Sequence, residues 1–171
     1  MLKKYKKYIL FINLILVLLF VNYAVFKKEQ TLKKGNFILL ELAPVDPRSL
    51  MQGDYMRLRY KIAQIRNFRG EQGVSEIEKI PNKGYLVLQK NANNIGEKIR
   101  LQKKINPLYQ GEIPLKYHKN NRQIYLGAES YFFQEGNSDK YQKAKYGGLK
   151  IDEKGNSVLV GLYDADLKKI N

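Results

Sequence analysis

The chain has no cysteine and only one histidine among its 171 residues. Without cysteine there are no disulfide staples and no thiolate metal sites, whatever the compartment. One imidazole is too small a donor set for a zinc site. A Ser-His-Asp triad would have to use His118, in "KYHKNN", a stretch that reads as an exposed turn. Glycine-rich phosphate loops and internal repeats are missing, and no EF-hand spacing surrounds Asp164 and Asp166 in "YDADL". No cofactor and no metal are expected.

Charge of one sign is plentiful by contrast. Lysine and arginine number 31 against 16 acidic residues, a net charge of +15. Residues 1–34 hold eight lysines and one glutamate, which leaves 23 basic and 15 acidic residues, or +8, for the remainder. Such an excess can attract anionic headgroups or acidic partners. Beyond residue 34, however, no block of five like charges occurs, and a basic composition spread along the chain accounts for it.

The longest uncharged run is "YILFINLILVLLFVNYAVF", Tyr8 to Phe26, bracketed by Lys3, Lys4, Lys6 and Lys7 before it and by Lys27 and Lys28 after it. Nineteen residues at about 1.5 Å each span roughly 28 Å, close to the roughly 30 Å of a hydrocarbon core. Tyr5, Tyr8 and Tyr23 suit the interfaces, and the lysines can snorkel. A cleaved signal peptide would want a shorter core and a small-x-small exit, for which "NYA" at Asn22–Ala24 is poor. A buried core helix would not be apolar all round between lysine clusters. An uncleaved membrane helix over residues 9–26 fits best, with residues 1–8 as a basic cytoplasmic N-terminus and 27–35 as a polar connector. The lysines on the two sides nearly balance, but a short basic N-terminus still favours the N-terminus inside and the rest outside.

From residue 36 the pattern becomes that of a β protein. "FILLELA" (37–43) ends at "PVDP", and two prolines three apart cannot continue a central strand. "DYMRLRYKI" alternates, with Met56, Leu58, Tyr60 and Ile62 on one face and Tyr55, Arg57, Arg59 and Lys61 on the other, the mark of a half-buried strand. Residues 66–83 read as a long loop with a helical turn near 75–79. Further strands are predicted over 85–90, 97–105, 111–118 and 122–136, the last bent at Gly127. "NSDKYQKAKY" (137–146) reads as the domain's helix, capped by Asn137 or Ser138 and stopped by Gly147 and Gly148. Asp152–Asn156 is the hairpin signal between two final strands. The fold class expected is mostly β, a β-rich α+β domain at 36–171 behind one N-terminal transmembrane helix.

Arg57 and Arg59 beside Tyr55 could clamp single-stranded nucleic acid, but they also suit the solvated face of a strand, and no nucleic-acid partner is expected. Glu129 and Glu135 flank "SYFFQ" without any sign of a raised pKa. A signal-peptidase-like pairing of Ser49 with Lys61 or Lys90 is an alternative, although "RSLMQGD" lacks that family's Ser-Met-x-Pro pattern. Gly53 and Asp54 have a sufficient structural reading as a turn that launches a strand.

"GDYMRLRY" resembles the signature of the GDYXXLXY family of bacterial membrane-anchored proteins through Gly53, Asp54, Tyr55, Leu58 and Tyr60. The "PVDPRSLMQGD" lead-in with Asp46, the block "ESYFFQEG" and the final "LVGLYDADL" extend the likeness. The resemblance implies an extracytoplasmic domain behind one helix in the bacterial cytoplasmic membrane, commonly encoded beside multi-span membrane proteins, and brings no catalytic residues. The expected role is binding or assembly with an integral membrane partner, with an envelope hydrolase or a ligand sensor as alternatives. Recognition is expected at Asp46, Gly53, Asp54, Tyr55, Arg57, Leu58, Tyr60, Glu129, Tyr131, Glu135 and Gly136.

Overall fold

A computed structural model describes residues 2–43, 51–52, 55–64, 80–121, 123–134 and 138–170. It begins with helix α1, Leu2–Lys34. Tyr5–Lys34 is long and apolar enough to cross a membrane, and its most apolar window is entirely unburied. Large side chains such as Leu10, Leu19 and Phe20 are exposed all round it.

The stretch 27–35, read as a connector, is helical through Lys34. Lysine, glutamate and glutamine are good helix formers, and Glu29 meets Lys33 one turn on at 3.6 Å. Gly35 then ends the helix, its N–H donating to the Thr31 carbonyl at 2.9 Å. The chain therefore passes from helix to sheet without a flexible tether.

Ten strands follow among the described residues: β1 (Asn36–Glu41), β2 (Met51–Gln52), β3 (Tyr55–Arg57), β4 (Lys83–Lys90), β5 (Gly96–Gln102), β6 (Glu112–Asn120), β7 (Gln123–Tyr125), β8 (Ser130–Phe132), β9 (Tyr146–Ile151) and β10 (Ser157–Tyr163). They form three antiparallel sheets, ordered β1-β9-β10, β2-β3-β8 and β5-β4-β6-β7. The expected β-rich domain behind one apolar helix is what the structure shows.

Apolar faces of the sheets meet in one core that includes Ile38, Leu40, Leu58, Tyr60, Leu86, Leu115 and Leu149. Burying each such side chain contributes about 1.5–3 kcal/mol. Ile113, Leu115 and Tyr117 share the buried face of β6, as their period-two spacing predicts. Leu39 connects two sheets, donating its N–H to the Asn94 carbonyl at 2.8 Å and bridging to Ile95.

Three local expectations are corrected. The predicted helix over 137–146 is a single described turn, α2 (Ser138–Tyr141). Lys145 is captured by the sheet instead, accepting from Leu42 N–H at 2.8 Å and donating to the Tyr163 carbonyl at 2.8 Å. Gly147 and Gly148 are accordingly strand residues of β9, not helix punctuation. "KYHKNN" is largely strand β6, where His118 stacks on Tyr125 at 5.0 Å. The strand predicted from Asp54 onward gives way to a 3-10 turn at Lys61–Ala63. The predicted helical turn near 75–79 lies outside the described residues.

The Asp152–Asn156 hairpin joins β9 to β10 as expected. Asp152 Oδ1 accepts from the N–H groups of Lys154 at 3.0 Å and Asn156 at 2.8 Å, while Oδ2 accepts from Asn156 Nδ2 at 2.8 Å and from the Thr31 hydroxyl of α1 at 3.1 Å. Gly155 takes φ +80°, and a Cβ there would press on the Tyr85 ring and the β6 backbone. Thr31 is buried, Lys28 Nζ donates to the Ser157 carbonyl at 3.4 Å, and Lys150 Nζ donates to the Gly35 carbonyl at 3.0 Å. The last turn of α1 is thus bolted to the sheet.

Burial pushes the Asp152 carboxyl up, but hydrogen bonds from Asn156, Thr31 and Lys154 outweigh it and hold the pKa below its ordinary 3.8. A carboxyl lowered by folding stabilises the fold above its ordinary pKa and loses that effect as pH falls through the folded value. Thermal melts of Asp152→Asn are expected to show a stability deficit at pH 7 that closes only below pH 3.8. Thr31→Val is expected to cost about 1 kcal/mol in the same melts, the usual net worth of one hydrogen bond.

Candidate functional site

The segment Tyr55–Tyr60 enters the domain as β3, hydrogen-bonded on one side to β2 and on the other to β8. Tyr55 lies opposite Phe132, Met56 opposite Tyr131 and Arg57 opposite Ser130. Beyond Arg57 the segment stays extended. Leu58 N–H donates to the Glu129 carbonyl at 2.7 Å, and Ala43 N–H donates to the Arg59 carbonyl at 2.7 Å. The same few residues therefore tie the β8 region to the end of β1.

The side chains alternate as their spacing predicts. Met56, Leu58 and Tyr60 are buried, Ile62 is half-buried, and Arg57, Arg59 and Lys61 are exposed. Tyr60 is the deepest. Its hydroxyl donates to the Ala128 carbonyl at 2.6 Å. Burial, and then the nearby Glu129 carboxylate, push its pKa far above that of a free phenol. This hydroxyl keeps its proton and acts as a structural donor. Its ring lies over Gly147, where a Cβ would come within 3.0 Å of Tyr60 Cε1 and 3.2 Å of its oxygen.

Arg57 and Arg59 overlook a cleft of about 350 Å³, lined also by Ala63, Gln64, Gln123, Ile124, Tyr125 and Glu129. Glu129 is held there by its own loop, its Oε1 accepting from Leu126 N–H and from Gly127 N–H at 3.2 Å. Gly127 bends the chain at φ +80°, as the sequence predicts, and this places the loop against Leu58. The arrangement offers two guanidinium groups and one carboxylate above an apolar floor. It suits recognition of a polar or acidic group.

The structure brings Arg57, Leu58, Tyr60 and Glu129 together at this cleft. Tyr131 is not part of it: it packs edge-on against Tyr141 at 5.1 Å, and burial followed by its hydrogen bond to Tyr141 pushes its pKa up to about 12. Tyr55 is described as backbone of β3 only. Asp46, Gly53, Asp54, Glu135 and Gly136 lie outside the described residues, as does Ser49. Lys61 is exposed and ion-paired with Glu41 at 3.0 Å, and Lys90 is exposed as well. Among the described residues no group of three His, Asp or Glu side chains gathers in a way that could hold a metal.

A family model described as GDYXXLXY protein matches residues 17–162, most of the chain. The chain belongs to the GDYXXLXY family. No curated protein and no solved structure matches it. Within the GDYXXLXY signature, Leu58 and Tyr60 are now seen to be core residues, 2% exposed each. Two of the positions that the signature leaves open, Arg57 and Arg59, carry the exposed charges. The partners of the signature tyrosine, Ala128 and Gly147, escaped sequence reasoning. Gly147 had a visible signal, a Gly-Gly pair, which pointed equally well to a helix end.

Tyr60→Phe is expected to destabilise the protein by about 1–3 kcal/mol, because the Ala128 carbonyl is left buried and unpaired. Gly147→Ala is expected to cost about 1–3 kcal/mol by overpacking against the same ring. Denaturant melts of the single and double variants should give a nonzero coupling energy, as the two sites are in contact.

Proposed function

We propose that this protein is a single-pass, membrane-anchored binding and assembly module of the bacterial envelope. Its β domain stands outside the cytoplasm, and an integral membrane protein docks at the Arg57–Arg59–Glu129 cleft. One observation carries the reading: the signature residues Leu58 and Tyr60 are consumed by the core, while Arg57 and Arg59 in its open positions face solvent over the cleft.

Support for the anchoring comes from α1. Its apolar side chains are exposed on every side, and an isolated helix of that kind is soluble only in lipid. The short basic N-terminus supports the inside-to-outside direction. Contacts of Thr31, Lys28 and Gly35 with the β9–β10 sheet join the helix to the domain, which favours a partner embedded in the same bilayer over one diffusing freely.

Placing a photo-crosslinking residue at position 57 or 59 of the full chain in native membranes is expected to capture one multi-span protein. Arg59→Glu should weaken capture from position 57 severalfold, the effect of reversing one charge at an interface. Recovery of soluble proteins alone would defeat the assembly role. A reporter fused after Asn171 that works only in the cytoplasm would overturn the topology.

A further inference from the structure

On the other side of Tyr125 lies a second cleft, of about 550 Å³. Lys28, Lys83, Lys103 and Lys116 line it together with His118, and among the described residues no aspartate or glutamate does. These lysines come from α1, β4, the segment after β5, and β6, so only the fold assembles them. Lys116 Nζ donates to Asn156 Oδ1 at 2.8 Å, and Lys28 to the Ser157 carbonyl, both neutral acceptors. Four positive charges are gathered, and among the described residues no carboxylate lies in the wall to balance them.

A neutral donor waits in the same wall. Tyr117 is 4% exposed, and its hydroxyl is buried without a hydrogen-bond partner among the described residues. The hydroxyl lies against Gly84, which also lines the cleft, at a place where a Cβ would sit 2.8 Å from it. A buried hydroxyl left unpaired costs about 1–3 kcal/mol and calls for an acceptor.

The height of the cleft identifies that acceptor. Lys28 is two residues past Phe26, the end of the apolar run, or about 3 Å along the helix axis. Thr31, buried by the β9–β10 turn, is about 7.5 Å past it. The headgroup layer on each side of a bilayer is roughly 5–7 Å thick. A domain bolted to Thr31 therefore opens its basic cleft, at the Lys28 side, level with the lipid phosphates.

We infer that this cleft is a binding site for the phosphate headgroup of an anionic phospholipid from the leaflet on which the domain stands. Lys28, Lys83, Lys103 and Lys116 supply the charge, and Tyr117 supplies the buried donor. The inference rests on the membrane anchoring proposed above. Bound lipid would couple the lipid composition of the leaflet to the pose of the domain, and hence to the neighbouring Arg57–Arg59 cleft through Tyr125, which lines both.

The test uses the full chain and begins with alkaline carbonate extraction of the membranes. Protein released by the wash removes the anchoring reading and the lipid site with it. Protein that stays is reconstituted in nanodiscs of mixed phosphatidylglycerol and phosphatidylcholine, and the lipid it retains on release is counted by native mass spectrometry. The wild type is expected to keep phosphatidylglycerol preferentially. Reversing the charge of two cleft lysines, Lys83→Glu with Lys103→Glu, should lower that retention about tenfold or more. Lys90→Glu, at the far end of β4, should leave it unchanged.

Tyr117→Phe should reduce retention without lowering the melting temperature, because the group removed has no partner in the free protein. Equal retention by the wild type and the double variant, with the protein still in the membrane, overturns the site and leaves the anchoring intact. Unchanged retention in Tyr117→Phe overturns the hydroxyl's part in it. If millimolar glycerol phosphate in phosphatidylcholine discs raises the melting temperature as much as phosphatidylglycerol does, the cleft takes a free phosphate and the lipid assignment is overturned.

Discussion

Four donors converge on the carboxylate of Asp152: two backbone N–H groups and a side-chain amide from its own turn, and the Thr31 hydroxyl from the last turn of α1. A carboxylate accepting several hydrogen bonds holds a turn far more firmly than a flexible loop would. Because one of the four comes from the helix, the β9–β10 hairpin and the apolar helix cannot move independently. Lys28 with Ser157 and Lys150 with the Gly35 carbonyl reinforce the same junction.

Tyr60 plays the corresponding part inside the domain. Its ring fills the space over Gly147 in β9, its hydroxyl reaches the Ala128 carbonyl ahead of β8, and its backbone bridges to Leu42 beyond β1. The small β2-β3-β8 sheet, too short to be stable alone, is attached to the rest in this way. Leu58 and Tyr60 of the GDYXXLXY signature thus serve construction of the core. Between the buried Leu58 and Tyr60, the open positions Arg57 and Arg59 face solvent on the outer side of this extended segment.

Electrostatics divides along similar lines. On paper the +8 of residues beyond 34 looks evenly scattered, and a scattered charge has no partner. Folding gathers Lys83, Lys103 and Lys116 around Lys28, while other charges neutralise one another, as Arg100 does with Glu112 in a bidentate pair beside Tyr109. That pairing holds the Glu112 carboxyl below its usual range, chiefly through the hydrogen bond from Arg100. The fold separates paired charges from gathered ones.

Much was legible in the residues because it depended on local period alone. The uncharged run of Tyr8–Phe26, the alternation of Met56, Leu58 and Tyr60, the bend at Gly127 and the Asp152–Asn156 turn all follow from spacing and turn chemistry. Local pattern failed where another element intervened. Lys145 left a helical sequence because Leu42, just past β1, and Tyr163 of β10 offered it backbone partners. The clefts were beyond reach for the same reason. Residues 28, 83, 103 and 116 meet only through sheet order, as do Arg57 and Gln123. By itself the sequence determined which faces are apolar and where the chain turns, since these are short-range preferences of each residue. Which charged faces come to lie side by side was decided by tertiary packing, because that depends on contacts between segments far apart in the chain.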